Sequence, residues 1–200
     1  MINDSNHASP GRKSTKVNTM IKHEKILWIT RTGVLLSLHI VLQAVTVALG
    51  NQLVTGSVVN LMLIIGVMTT GLGTGVTVAI LSPLVPTLLG FVPNWPIMPF
   101  IALGNVVLVL LWHFVGNREF GTKHLSKIAA LILSAAAKFA VLYVGIVHIA
   151  APYIIGLPRE NPLAVMFSYP QLITATIGGT VAILMLPLLK RALVNINRTS

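Results

Sequence analysis

Residues Ile128–Ala151 read IAALILSAAAKFAVLYVGIVHIAA. One charge, Lys138, interrupts an apolar stretch that would extend about 36 Å as an α-helix rising ~1.5 Å per residue. That is enough to cross a bilayer core of about 30 Å. Outward from this run, further apolar segments fall at Gly33–Leu49, Gly56–Met68, Thr74–Leu89, Ile97–Val115 and Gln171–Leu189. The reading is an all-α integral membrane protein, a compact bundle of six transmembrane helices. The second run is short, and Pro83 and Pro86 should kink the third or end it early. Five spans with one re-entrant segment is the alternative.

Composition agrees with a chain whose surface faces lipid. Of 200 residues 9% are charged and 54% hydrophobic, and the mean hydropathy is +0.86. A soluble domain carries roughly 25% charge, so a soluble enzyme, a disordered tail and a nucleic-acid-binding domain are excluded. The net charge of +10 is a membrane-flank signal rather than a groove for phosphates. Arg12, Lys13, Lys16, Lys22, Lys25 and Arg31 precede the first span. Residues 1–25 are read as a polar basic tail, disordered to residue 20, residues 26–191 as the membrane domain and 192–200 as a short tail. Such a polar leader does not resemble a cleavable signal.

Charge asymmetry sets the direction. With six spans and the N-terminus inside, the cytoplasmic segments 1–32, 69–73, 116–127 and 190–200 hold twelve Lys and Arg. The external segments 50–55, 90–96 and 152–170 hold one, Arg159. This is a strong positive-inside bias with both termini cytoplasmic, in a multi-pass protein of the cell membrane.

Polar residues within the spans gather at one depth. Gln43, Asn60, Asn105, His148 and Gln171 come from five different spans and lie in the outer half, with His39 and Lys138 near mid-depth. The outer loops add Asn51, Gln52, Asn94, Trp95, Arg159, Glu160 and Tyr169. The shared depth predicts a polar pocket open to the exterior, formed by Asn60, Asn94, Trp95, Asn105, Lys138, His148, Arg159 and Gln171. Taken singly, each amide could instead join two helices, and Trp95 could be an interfacial anchor. Lys138 costs about 2.5–3.5 kcal/mol at mid-membrane on insertion scales. No Asp or Glu lies in any span, so Lys138 is either neutral or bonded to carbonyl groups, or else it meets an anionic or carbonyl-bearing ligand. Ser134 and Gly145 share its helical face and leave room for an acceptor.

Catalytic signatures are absent. There is no His-Glu-x-x-His, no Gly-x-Ser-x-Gly and no pair of membrane carboxylates for acid–base chemistry. The six His are scattered singly, without metal-ligand spacing, and zero Cys exclude thiolate chemistry. Gly71-Leu72-Gly73-Thr74-Gly75 lacks the Gly-Lys-Ser/Thr of a phosphate loop and reads as a tight turn. No enzyme activity, cofactor or metal is expected, and active transport would need energy from a partner.

Two further stretches carry a family likeness. Asn51-Gln52-Leu53-Val54-Thr55-Gly56-Ser57-Val58-Val59-Asn60-Leu61 and Pro99-Phe100-Ile101-Ala102-Leu103-Gly104-Asn105 resemble the first outer loop with the second helix, and the start of the fourth helix, of bacterial members of one family. This is the family of substrate-binding S components of energy-coupling factor (ECF) vitamin transporters. The likeness spans about residues 26–190. It implies binding of a vitamin or related small molecule from outside, with the outer loops and outer halves of the fourth to sixth helices. It also implies a transmembrane coupling subunit and two cytoplasmic ATPases as partners. Family members often dock through Ala-x-x-x-Ala on the first helix. Here Gly33 and Ser37 occupy the cytoplasmic end of that helix, and Ala44 and Ala48 lie nearer the exterior. A self-sufficient small-solute facilitator or channel is the competing reading.

Overall fold

Asn51 and Gly71 show how the chain reverses between its long helices. The computed structural model describes residues 10–88, 95–118, 123–158 and 161–199. Among them the regular elements are all helical: α1 Pro10–Ala48, α2 Gln52–Thr70, α3 Leu72–Leu88, α4 Met98–Phe114, α5 Lys123–Leu142, α6 Pro162–Met166 and α7 Tyr169–Thr199. A 3-10 turn, Trp95–Ile97, leads into α4, and α5 continues as a π-helix over Tyr143–Ile155. Asn51 caps α2: its Oδ1 accepts from the amides of Leu53 at 3.0 Å and Val54 at 3.4 Å, satisfying donors that the first turn leaves free. Gly71 alone joins α2 to α3. Its φ of 97° lies in the region that only glycine enters cheaply, so the glycine-rich stretch is the expected tight turn.

Among the described residues, five helical stretches are long and apolar enough to cross a membrane: Lys22–Ala48, Gln52–Thr70, Trp95–Phe114, His124–Ile155 and Pro162–Ala192. The third predicted run forms a shorter helix whose apolar part is Leu72–Leu84. Large apolar side chains such as Val34, Val41, Leu103, Ile132, Leu184 and Leu188 are exposed on the outside. A surface of this kind suits lipid and not water.

Two expectations change. α1 begins at Pro10, inside the leader expected to be disordered to residue 20. Proline at the first helical position gives up no hydrogen bond, and its fixed φ suits the turn. α3 runs through both Pro83 and Pro86 to Leu88, so of the two effects expected of these prolines, a kink or an early end, the early end does not occur. Pro83 has no amide to donate to the Ala79 carbonyl, and that oxygen is served from elsewhere. Ser82 Oγ approaches it at 3.4 Å and Asn105 Nδ2 of α4 at 3.5 Å. A neighbouring helix thereby makes the proline tolerable within an apolar medium.

Packing is closest between α2 and α7. A Cβ added at Gly178 would sit 2.5 Å from the Ser57 carbonyl oxygen and 2.9 Å from Asn60 Cβ. Without a side chain there, the two backbones come together, as small residues permit in membrane helices. At the end of the bundle holding the α2–α3 turn, the interior is filled by Leu63, Ile64, Val67, Leu108, Val109, Trp112 and Leu186, each at most 1% exposed. A second apolar cluster of Ile97, Leu142, Ile146, Ala150 and Phe167 lies at the other end. The buried polar residues sit between the two.

Candidate functional site

The centre of that polar layer is Lys138, 3% exposed. Its Nζ donates to Asn60 Oδ1 of α2 at 2.5 Å and to Asn105 Oδ1 of α4 at 2.7 Å. Both asparagines are 1% exposed. Each amide then passes its own donor onward. Asn60 Nδ2 donates to Thr174 Oγ1 of α7 at 3.4 Å, and that hydroxyl donates to the Gln171 carbonyl at 3.1 Å. Asn105 Nδ2 reaches Ser82 Oγ at 3.4 Å and the Ala79 carbonyl. One ammonium thus links α2, α3, α4, α5 and α7. Charge-assisted bonds of this kind are the stronger class of hydrogen bond.

Lys138 also borders a cavity of about 460 Å³, within the range of small-molecule sites. The cavity opens at the end of the bundle carrying the α1–α2 turn and α6. Its polar lining is Gln43, Asn51, Gln52, Thr55, Asn105, Lys138 and Gln171. The remaining walls include Val59, Ile97, Ile101, Leu142, Leu163, Met166 and Phe167. Among the described residues no acidic side chain lines it.

The short α6 forms one side of the opening. Asn161 caps it by accepting from the Ala164 amide at 2.9 Å and donates to the Pro158 carbonyl at 2.6 Å. Pro162 holds the first helical position. Gln171 Nε2 donates to the Met166 carbonyl at 3.1 Å and ties the start of α7 to the end of α6.

The structure therefore brings together Asn60, Asn105, Lys138 and Gln171. Trp95 and His148 do not join them. Trp95 is 53% exposed at the start of the turn before α4. His148 is exposed on the π-helix, where Nδ1 pairs with the Tyr143 carbonyl at 3.4 Å and the ring packs edge-on against Tyr143. Asn94 and Arg159 lie outside the described residues. Ser134, expected to share a face with Lys138, bonds its own helix at the Leu131 carbonyl, 3.2 Å away, and Gly145 packs against Phe100. The acceptors for Lys138 come from other helices.

Gly33 and Ser37 lie on α1, both exposed, and a Cβ at Gly33 would meet nothing within 4 Å. Sequence reasoning missed Thr174 and Ser82 as second partners of the asparagines. Both were detectable: Thr174 is three residues from Gln171 on one helical face, and Ser82 precedes the proline that frees a carbonyl.

Buried polar atoms without a partner among the described residues are informative here. Both ring nitrogens of His39, which is 1% exposed, and Gln43 Oε1 have none. His39 lies one turn from Gln43 on α1. Among the described residues, no group of three or more His, Asp or Glu could hold a metal ion. Comparison of the chain with family models, curated proteins and solved structures gives no match.

Proposed function

We propose that this chain is the membrane-embedded substrate-binding subunit of an ECF-type importer in a bacterial plasma membrane. It takes up a vitamin-like small molecule from outside and is energised by a separate transmembrane coupling subunit with two cytoplasmic ATPases. Six helices cross the bilayer in this reading, α3 included, with both termini in the cytoplasm and the cavity mouth outside. The positive-inside asymmetry supports that orientation.

The observation that carries the proposal is the blind end of the cavity. Lys138 lines the cavity, whereas Ile64, Val67, Leu108, Val109 and Trp112, each at most 1% exposed, fill the bundle beyond it and do not line the cavity. A closed-ended site suits binding followed by a movement that some other component must drive. A facilitator would need a path through this plug. The resemblance of the segments 51–61 and 99–105 to S components supports the same reading.

The test is isolation of the tagged full-length chain from its own membranes in mild detergent. A second membrane protein and two ATP-hydrolysing subunits should accompany it. A chain that isolates alone, and moves solute into liposomes without nucleotide, would replace the proposal with the facilitator.

A further inference from the structure

An ammonium has three donors. Two of those on Lys138 go to Asn60 and Asn105. The third has no protein acceptor among the described residues, and Lys138 lines the cavity. The chain's four acidic residues, Asp4, Glu24, Glu119 and Glu160, all fall outside the apolar runs. The amide oxygens satisfy hydrogen bonds but leave the positive charge uncompensated in apolar surroundings. A single buried cation favours a single negative charge beside it. A carboxylate supplies one, whereas a phosphate monoester carries about −1.5 to −2 at pH 7 and would leave an excess in the same space.

The second unpaired group specifies more. Gln43 lines the same cavity and its Oε1 is buried without a donor among the described residues, so an occupant with an N–H or O–H on its α1 side would satisfy it. The walls also include the apolar side chains Val59, Ile97, Ile101, Leu142 and Phe167.

We infer that the cavity binds a small carboxylic acid. Its carboxylate sits on Lys138 Nζ, its apolar body lies against Ile101, Leu142 and Phe167, and a hydrogen-bond donor faces Gln43. This rests on the uptake reading only in taking the cavity as the substrate site. No bond is made or broken.

Thermal unfolding of the intact protein in detergent, in the presence of matched acids and primary amides, tests the inference. The probes are hexanoate with hexanamide, benzoate with benzamide, and indole-3-acetate with its amide. At least one acid should bind roughly 10- to 100-fold more tightly than its amide, as expected for a charged hydrogen bond. Lys138→Met should remove that preference, and the acid–amide comparison in the unaltered protein stands even where this variant folds poorly. Amides binding as well as acids would overturn the carboxylate assignment and leave the cavity as a binding site. No stabilisation by any probe would overturn both.

Discussion

Lys138 Nζ lies 2.7 Å from Asn105 Oδ1, and the same asparagine turns its Nδ2 toward the Ala79 carbonyl at 3.5 Å. The pair joins α5 to α4 and, through α4, to the backbone oxygen that Pro83 deprives of its own helical donor. A charge, an amide and a proline on three helices are thereby made interdependent.

Asn105→Leu should destabilise the protein by about 1–3 kcal/mol, because it strands one donor of a buried ammonium and leaves the Ala79 carbonyl with Ser82 Oγ alone. The double variant Asn105→Leu with Lys138→Met should be less destabilised than the sum of the two single changes, since the stranded charge is gone. Denaturation in a fixed detergent measures both. Strict additivity would mean that the two side chains do not interact.

Gly178→Ala should lower stability by roughly 1–3 kcal/mol, the usual effect of overpacking, because its Cβ would meet the Ser57 carbonyl oxygen at 2.5 Å. Gly33→Leu should leave the melting temperature unchanged, since nothing lies within 4 Å of that Cβ. If α1 docks on a coupling subunit, Gly33→Leu or Ser37→Leu should abolish ATP-driven uptake yet spare ligand binding. Normal uptake in both would exclude that face.

Gln171→Leu should weaken ligand binding about tenfold to a hundredfold and hasten release, since it removes a polar wall and the tie to Met166. Trp95→Ala and His148→Ala should leave affinity unchanged, as neither side chain borders the cavity. Calorimetry on the three variants separates them. A large loss at His148 with none at Gln171 would refute the site as described.

Single cysteines at Lys25, Tyr169 and Lys190 test the orientation, in a chain that has no native cysteine. An impermeant thiol reagent applied to cells should label position 169 only. Labelling at 25 or 190 from outside would reverse the topology.

The helical runs were legible because apolar length against bilayer thickness is a one-dimensional property of the chain. Lys138 stood out for the same reason: one charge in a long apolar run requires compensation. Which groups supply it was not legible. Ser134 and Gly145 share its helical face, but the acceptors arrive from α2 and α4, and Asn60 lies at the close approach of α2 to Gly178 of α7. His148 matched the others in depth and failed in azimuth. Depth follows from sequence position, whereas azimuth in a helix that widens to a π-pitch does not. Pro83 misled as a terminator because a donor on another helix was available to its orphaned carbonyl.

Substrate binding in the cavity is decided by native mass spectrometry of the protein, released intact from detergent after purification from its own membranes. One small molecule should be bound per chain in the unaltered protein. That molecule should be lost in Ile101→Trp, which fills the cavity while leaving Lys138 and both asparagines in place. Equal occupancy in the two proteins, or none in either, would contradict a substrate-binding role for the cavity.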